Sequence, residues 1–329
     1  MSDAPLDVLA VGNAIVDVIS RAEDSLLERR GLTKGIMRLV DAAESASLYE
    51  EMGPGVEVSG GSAANTAVGV ALLGAKAGYI GKVGGDDLGD VFRHDISHAG
   101  VQFNTSPATT GTPTALCLIL VTDDAERTMN TYLGACVELG PDDIDPDVVA
   151  SAQVTYLEGY LWDPPEAKAA FRKAFAATKE SGRRASLTLS DPFCVDRHRA
   201  EFRELTEHYV DVLFANEDEI TSLYEVDDFD QALQHVRGHC EIAVLTRSEK
   251  GSIVVSGDEI HVVDAAPVAQ VVDATGAGDM YAAGFLYGLT QGFDLGRCGR
   301  LGALAAAEII SHFGAKPEVD LKTFVDASA

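Results

Sequence analysis

Short apolar runs alternate with longer segments of helical period along most of the chain. The runs are rich in Val, Ile, Leu and Ala, which is typical of strands buried on both faces of a parallel sheet. The predicted strands are Val8–Val11, Gly78–Gly81, Val154–Leu157, Ala185–Leu189, Val212–Ala215 and Ala243–Thr246. The predicted helices are Ala63–Leu73, Asp87–Ala99, Glu166–Ser181, Glu217–Tyr224, Phe229–Val236, Ala277–Gln291 and Leu295–Phe313. This alternation predicts an α/β fold, with helices on both faces of a mainly parallel sheet.

Two stretches, about 14–59 and 105–132, interrupt the alternation. They contain strand-like pieces (IVDVIS, GIMRLV, ALCLILV and RTMNTY) separated by turns, with no long helix between them. Such pieces can pair with one another as a small separate sheet. Both stretches leave the α/β core and rejoin it, and no linker rich in Pro, Gly or Ser separates them. We therefore predict a single domain, residues 1–329, with a small β-sheet lid.

The charge balance narrows the function classes. The chain has 52 acidic and 25 basic residues, a formal net charge of −27. This excess argues against a nucleic-acid groove and against an anionic membrane surface, because both need clustered Lys and Arg. It does not exclude a nucleotide, since backbone N–H groups alone can form a phosphate site.

The spacing of the cysteines and histidines predicts neither a set of disulfides nor a metal site. The five cysteines are scattered without a Cys-x-x-Cys spacing. The pairs His94/His98 and His235/His239 have the spacing of helical zinc ligands but no evident third ligand, so we predict no metal-binding residue. The amino-terminal segment lacks the basic start of a secretory signal, and no apolar run has the length of a membrane span. Together these features predict a cytoplasmic protein.

The segment VVDATGAGDMYAAGFLYGL is the most informative stretch of the sequence. An apolar run leads into glycines and then directly into a helical pattern, so Gly276 and Gly278 lie at a helix start, where free N–H groups and the helix dipole favour an anion such as phosphate. Asp279 then falls within the first helical turn, beside that anion site. From this segment alone, Asp273 and Asp279 could equally serve to stabilise the helix start. The third glycine of a dinucleotide fingerprint is missing, and no Walker loop occurs in the chain.

Two signatures in matching order identify a family. The segment Asp273–Asp279 resembles the carboxy-terminal signature of the ribokinase-like carbohydrate kinases (the phosphofructokinase-B family), with Ala274 where Thr is common. The stretch EVSGGSAANTAVGVALLGAKAGYIGKVGGDDLGD resembles the amino-terminal signature. The likeness covers about residues 8–317. It implies a ribokinase-like three-layer α/β/α core with a β-sheet lid, and ATP with Mg²⁺ as cofactors.

The resemblance also implies which residues carry out phosphoryl transfer. Asp279 corresponds to the general base that takes the proton of the acceptor hydroxyl, and Gly276, Ala277 and Gly278 correspond to the anion hole for the transferred group. Arg127 corresponds to a lid arginine that reaches the phosphates when the lid closes.

Other elements imply contacts to the acceptor and to the nucleotide. VGNAIVD resembles the family's acceptor-binding element, with Asn13 and with Asp17 on a sugar diol. Gly60, Gly61 and Asn65 match the family's Gly-Gly-x-x-x-Asn. The residues expected to contact the nucleotide or organise its magnesium are Asn216, Glu219, Thr246, Gly251 and Asp273. The loop after the last long helix resembles one that binds a monovalent cation in relatives, so a K⁺ requirement stays open.

The acceptor is the least determined feature. LTLSDPFCVD resembles the Leu-Ser-x-Pro-Phe run of the adenosine kinase branch, and Tyr160, Trp162 and Phe193 have aromatic faces that suit a purine. These three side chains could equally be core or rim residues. We therefore expect adenosine or a related nucleoside as acceptor, with a sugar such as ribose or fructose as the alternative.

A different class of function stays open at this point. A nucleoside- or sugar-binding protein without activity could use the same fold, although the retained Asp279 favours a kinase. Expected partners are the small-molecule substrate and, through the lid strands, a second copy of the chain; no nucleic acid or membrane is expected.

Overall fold

The computed structural model describes residues 6–124 and 126–328, so predictions that fall on residues 1–5, Ala125 and Ala329 lie outside the described residues. The strands in this part of the chain are β1 Leu6–Val11, β2 Ile15–Arg21, β3 Met37–Leu39, β4 Gly55–Gly60, β5 Ala77–Ile80, β6 Gln102–Phe103, β7 Ala115–Val121, β8 Arg127–Tyr132, β9 Ala152–Glu158, β10 Arg184–Thr188, β11 Val212–Asn216, β12 Ile242–Thr246, β13 Ser252–Ser256 and β14 Glu259–Val263. The helices are α1 Asp24–Arg30, α2 Ala42–Glu51, α3 Ser62–Leu72, α4 Asp87–His98, α5 Pro146–Ser151, α6 Pro165–Glu180, α7 Pro192–His208, α8 Glu217–Tyr224, α9 Phe229–Val236, α10 Ala277–Thr290, α11 Leu295–Ile309 and α12 Leu321–Ser328.

Nine strands form the large sheet, in the order β14-β13-β12-β11-β10-β9-β1-β5-β6. The pairings from β12 to β6 are parallel, and β13 and β14 add an antiparallel hairpin at one edge. In the centre of the sheet, Val8 pairs with Ala77 on one side and with Val154 on the other. The predicted α/β fold with a mainly parallel sheet is confirmed.

Helices cover both faces of this sheet because the strands are apolar on both sides. In β1, Val8 and Ala10 belong to one buried cluster and Leu9 and Val11 to the other, as the alternation of side chains along a strand requires. The first cluster includes side chains of α3, α4, α10 and α11. The second includes side chains of α5 to α9. The three layers follow from this division.

Helices α3 and α10 touch at a glycine. A Cβ on Gly69 would lie 2.6 Å from Cβ of Ala283 and 2.8 Å from Sδ of Met280, so only a residue without a side chain fits between the two helices. This contact brings the amino-terminal turns of both helices to the same edge of the large sheet.

A second sheet of five strands has the order β3-β8-β7-β2-β4, so the four strand-like pieces singled out in the sequence all contribute to it. Below we call it the small sheet. The expectation of no long helix within 14–59 was wrong, because α2 has ten residues and Leu48 packs into the core. Asp41 caps this helix by accepting the N–H of Glu44.

Helix α11 ends at Ile309, four residues earlier than predicted. The chain turns there, and the carbonyl of Ile310 accepts the N–H of Val272 at 2.8 Å. The end of this helix therefore anchors the strand-like segment that leads into the glycine-rich loop.

All five cysteines carry free thiols, four of them buried. None of the helices in residues 6–124 and 126–328 combines the length and the apolar character that crossing a bilayer demands.

Candidate active site

Most of the predicted site residues gather at the carboxyl ends of the parallel strands, which is where ligands bind in open α/β sheets. Asn13 follows β1, Asn216 ends β11 and Thr246 ends β12. The glycine-rich loop and the first turns of α3 and α10 complete this edge.

The glycine-rich loop makes a tight entry into α10. Gly276 has φ of 78°, and a Cβ on it would lie 2.8 Å from Cβ of Ala315, so both conformation and space call for glycine. The helical ladder starts with the N–H of Met280 on the carbonyl of Gly276, which leaves earlier N–H groups at the positive end of the helix. One of them is already used, because the N–H of Ala277 donates to the carbonyl of Ala274 at 3.2 Å.

The carboxylate of Asp279 is held by two donors from α3. Ser62 Oγ donates to Oδ1 at 2.7 Å and Asn65 Nδ2 donates to Oδ2 at 3.0 Å. Burial raises the pKa of Asp279, while these two hydrogen bonds act in the opposite direction. Stabilisation of the helix start alone does not explain why the side chains of Ser62 and Asn65, 217 and 214 residues away in sequence, both donate to Asp279. Ser62 was missed in the sequence, where it is an ordinary helix-start serine.

Glu158, at the end of β9, is a second residue that sequence reasoning missed. Its side chain is buried, and it accepts the N–H and the Nδ2 of Asn13, both at 2.7 Å, and the N–H of Ala63 at 2.6 Å. Burial raises the pKa of Glu158 to about 7 against the effect of these hydrogen bonds. Asn13 is therefore oriented by Glu158, which also fixes the start of α3.

Asp17 lies on β2, facing the glycine pair that ends β4. A Cβ on Gly60 would lie 2.3 Å from Oδ2 of Asp17, so the carboxylate rests against bare backbone. Gly61 has φ of 97°, and a Cβ there would lie 2.1 Å from the carbonyl oxygen of Asn13. Burial raises the pKa of Asp17 to about 7, and the charge of Asp279 acts in the same direction, so these two carboxylates share one site.

Arg127 and Asp273 form an ion pair between the small sheet and the glycine-rich loop. Nη2 of Arg127 lies 2.8 Å from Oδ2 of Asp273, and both side chains are more than nine-tenths buried. Asp273 also accepts from the N–H and hydroxyl of Thr275 and from the N–H of Gly314. The Nε and Nη2 groups of Arg127 have no hydrogen-bond acceptor in suitable geometry despite the ion pair. The guanidinium therefore retains donors for another oxyanion.

Asn216 and Glu219 form a reciprocal cap at the start of α8. The N–H and Nδ2 of Asn216 donate to the two carboxylate oxygens of Glu219, and Asn216 Oδ1 accepts the N–H of Glu219. Burial raises the pKa of Glu219 to about 7. Within the part of the chain that the structure describes, no group of three or more His, Cys, Asp or Glu side chains could hold a metal ion.

The two loop residues predicted to contact the nucleotide lie beside the β12–β13 turn. Thr246 pairs with Ser252 across the hairpin. Gly251 has φ of 80°, and a Cβ on it would lie 2.1 Å from the carbonyl oxygen of Val263. This glycine is therefore required by the turn itself.

The three aromatic candidates differ in exposure. Tyr160 is 36% exposed and Phe193 is 75% exposed, so neither residue is enclosed in the core. Trp162 is 0% exposed; its ring packs against Phe171 and Phe202, and its Nε1 donates to Glu201 at 3.1 Å. The expectation that Trp162 stacks on a purine was wrong, because its ring faces are already covered by the core.

The chain resembles proteins of known family along almost its whole length. The model of the pfkB family carbohydrate kinases matches residues 8–321. Two solved structures superpose with a TM-score of 0.92. One is the adenosine kinase from Sinorhizobium meliloti, 54% identical and covering 99% of this chain and 100% of that chain. The other is a probable sugar kinase protein from Rhizobium etli CFN 42, 52% identical and covering 99% of each chain.

A more distant relative carries a different acceptor in its name. It is the 5-dehydro-2-deoxygluconokinase of Geobacillus thermodenitrificans, 27% identical over 324 residues, which are 93% of this chain and 88% of the relative. The relatives thus share phosphoryl transfer to an alcohol and differ in the acceptor. With the family match, the fold and the site in agreement, this chain belongs to the pfkB family of carbohydrate kinases, phosphotransferases with an alcohol group as acceptor.

Proposed function

We propose that the protein transfers the γ-phosphoryl group of ATP to a hydroxyl of a purine nucleoside, with adenosine as the first candidate. The observation that carries this proposal is the position of Asp279. Its carboxylate lies in the first turn of α10, after the anion-binding loop, and is held on its other side by the acceptor-binding helix α3. In the proposed function, this carboxylate would stand between the γ-phosphate of ATP and the acceptor hydroxyl.

In the proposed step, the acceptor hydroxyl gives its proton to Asp279 while its oxygen bonds to the γ-phosphorus. The bond from that phosphorus to the β,γ-bridging oxygen breaks, and ADP leaves. The raised pKa of Asp279 suits a general base, because a stronger base takes a proton more readily at neutral pH. The N–H groups around Gly276–Gly278 stabilise the charge on the moving phosphoryl group.

The acceptor is held from the side of the small sheet. Asp17 accepts hydrogen bonds from two neighbouring hydroxyls, and Gly60 and Gly61 let the sugar approach the backbone. Asn65 reaches Asp279 and the acceptor from α3, while Asn13 is fixed by Glu158. A sugar diol satisfies this arrangement whether or not it carries a base.

Magnesium and the triphosphate belong on the side of Asn216 and Glu219. A magnesium ion supplies positive charge that offsets the phosphate oxygens during transfer. Glu219 would orient the waters of that ion: the hydrogen bonds from Asn216 fix its carboxylate, and each of its oxygens can accept one further hydrogen bond. Thr246 and Gly251, at the β12–β13 turn, would contact the nucleotide. K⁺ at the loop after α11 would act as an activator, and ADP release measured with K⁺ or Na⁺ as the only monovalent cation tests this.

Closure of the small sheet as a lid would exclude water from the transfer site. Arg127 is the residue of this sheet that would meet the phosphates, because it has buried donors without acceptors. The small sheet also carries exposed Met37, Leu39 and Val56 on its edge strands, which supports pairing of two copies. Sedimentation velocity tests that pairing.

Adenosine is favoured over a free sugar by the exposed aromatic side chains of Tyr160 and Phe193 and by the similarity to an adenosine kinase. A sugar acceptor is the second candidate, because the structure from Rhizobium etli, nearly as similar, is described as a probable sugar kinase.

The test is ADP release with ATP and Mg²⁺ in the presence of adenosine, inosine, guanosine, ribose, fructose and fructose phosphates. We expect the largest kcat/KM with adenosine. A larger kcat/KM with a sugar would contradict adenosine as the acceptor and favour the sugar kinase. If none of the acceptors supports ADP release but calorimetry shows that one of them binds, the protein would be a binding protein without activity.

A further inference from the structure

Lys316, in the loop after α11, joins three elements that surround the acceptor side of the site. Its Nζ forms an ion pair with Asp95 of α4 and donates to Ser59 Oγ of β4 at 2.5 Å. The N–H of Ser59 donates to Oδ2 of the same Asp95 at 2.7 Å. We call Lys316, Asp95 and Ser59 the lysine node.

The lysine node holds the backbone on which Asp17 rests. Ser59 immediately precedes Gly60, and a Cβ on Gly60 would lie 2.3 Å from Oδ2 of Asp17. A shift of Ser59 therefore moves the surface against which this carboxylate lies. The charge of Lys316 also reaches Asp17 directly and favours its ionised form.

We propose that Lys316 is a positioning residue for the acceptor: it fixes the Ser59–Gly61 backbone against which the Asp17 carboxylate lies and holds a positive charge on the acceptor side of the site, so that Asp17 can accept two hydroxyl groups. This proposal rests on the proposed function, in which Asp17 binds the acceptor.

The charged groups facing Asp17 make Lys316 important near neutral pH. The pKa of Asp17 is raised to about 7 by the balance of four effects: burial, the largest, and the charge of Asp279 raise it, whereas Lys316 and Arg127 lower it, Lys316 more strongly. Cys117, the neighbour of Asp17 on β7, is a buried thiol whose own pKa is raised by burial and by Asp17. Loss of the Lys316 charge shifts the balance toward a protonated Asp17, which accepts fewer hydrogen bonds.

The first test needs no turnover. In protein labelled with ¹³C at the Asp carboxyl groups, the Asp17 signal is assigned by its loss in Asp17→Asn and titrated in the wild type and in Lys316→Met. We expect the pKa of Asp17 to rise in Lys316→Met, to stay close to the wild-type value in Lys316→Arg, and to be unchanged in Lys322→Met, an exposed lysine of α12. An unchanged Asp17 titration in Lys316→Met would overturn the proposal.

The second test uses the acceptor that the panel identifies. At pH 7, Lys316→Met should raise the KM of the acceptor roughly fivefold, because a rise of about one unit from a pKa near 7 lowers the ionised fraction of Asp17 from about one-half to about one-tenth, with a smaller change in kcat and in the KM of ATP. The acidic limb of kcat/KM should move to higher pH, and Lys316→Arg should restore both. A fall in kcat with similar rises in the KM values of the acceptor and of ATP, and an unchanged pH profile, would indicate a merely structural role. If the wild type turns over no acceptor, the proposed function fails while the Asp17 titration still decides the role of Lys316.

Discussion

The guanidinium of Arg127, on the small sheet, lies 2.8 Å from the carboxylate of Asp273, which opens the glycine-rich loop. The two residues are 146 positions apart, and the pair is closed off from solvent. It links the part of the molecule that we propose to move as a lid with the loop that we propose to bind phosphate.

Arg127→Met should reduce both stability and turnover. It leaves Asp273 buried without its ion-pair partner, and the free energy of unfolding should fall by about 3 kcal/mol, the lower end for a broken buried pair, because Thr275 and Gly314 still donate to the carboxylate. The kcat should fall roughly 10²-fold through the lost positive charge. Urea unfolding and steady-state kinetics measure the two effects.

The matched control is Arg38→Met, which removes an arginine from β3 of the same sheet. Arg38 pairs with Glu44 at a more exposed position and donates to Asn130, so its loss should lower the free energy of unfolding less than the loss of Arg127, by about 1–2 kcal/mol. Equal effects of the two substitutions would contradict a special role for the Arg127–Asp273 pair.

Asp279→Asn should lower kcat by roughly 10²–10⁴-fold, the usual contribution of a general base. The fold should persist, because the substitution removes a charge whose burial is unfavourable and Asn can still accept from Ser62 or Asn65. Steady-state kinetics and thermal unfolding report the two properties. Asp227→Asn, at an exposed position, should leave both unchanged, and a near-normal kcat in Asp279→Asn would sink the assignment of the base.

Gly60→Ala should act on the acceptor rather than on ATP. The new Cβ would meet the Asp17 carboxylate, which can move aside, so the cost falls on acceptor binding: we expect kcat/KM for the acceptor to fall roughly 10–100-fold. The KM of ATP should change little. Gly85→Ala is the control, because a Cβ there meets nothing within 4 Å. A larger change in the KM of ATP than in the kcat/KM of the acceptor would contradict the assignment of Gly60 to the acceptor side of the site.

Stability should fall as the pH rises from 5 to 8. The pKa values of Glu158 and Glu219 are raised from 4.5 to about 7 by burial, so the folded state prefers their protonated forms. That preference stabilises the fold fully below pH 4.5 and is lost as the pH rises through about 7, by roughly 3 kcal/mol per group. Urea midpoints across this range measure the slope. Glu158→Gln and Glu219→Gln should each flatten it, whereas Glu50→Gln at the surface should not; a flat wild-type profile would contradict the burial argument.

The sequence made the large sheet and the glycine-rich helix start predictable, because strand runs, helical periods and loop glycines are local patterns. Glu158 was out of reach for a physical reason: its role depends on Asn13, 145 positions away, and no spacing connects the two. Ser62 is similar, since a helix-start serine does not reveal that it donates to Asp279. Trp162 is the opposite case: it was predicted to bind the acceptor, but an aromatic residue near a predicted site can be fully buried in the core. Helix α2 was missed because short helices and strands look alike within an insertion.

The close contact of α3 and α10 at Gly69 separates the alignment of the site from its contacts. One helix carries the donors Ser62 and Asn65 and the other carries Asp279, and the spacing of the two helices is set by a residue outside the proposed ligand contacts. Residues of the small sheet can therefore change without moving the two helices that hold the proposed base. By the same logic, a bulkier residue at Gly69 would damage every reaction in the acceptor panel alike, whichever molecule supplies the hydroxyl.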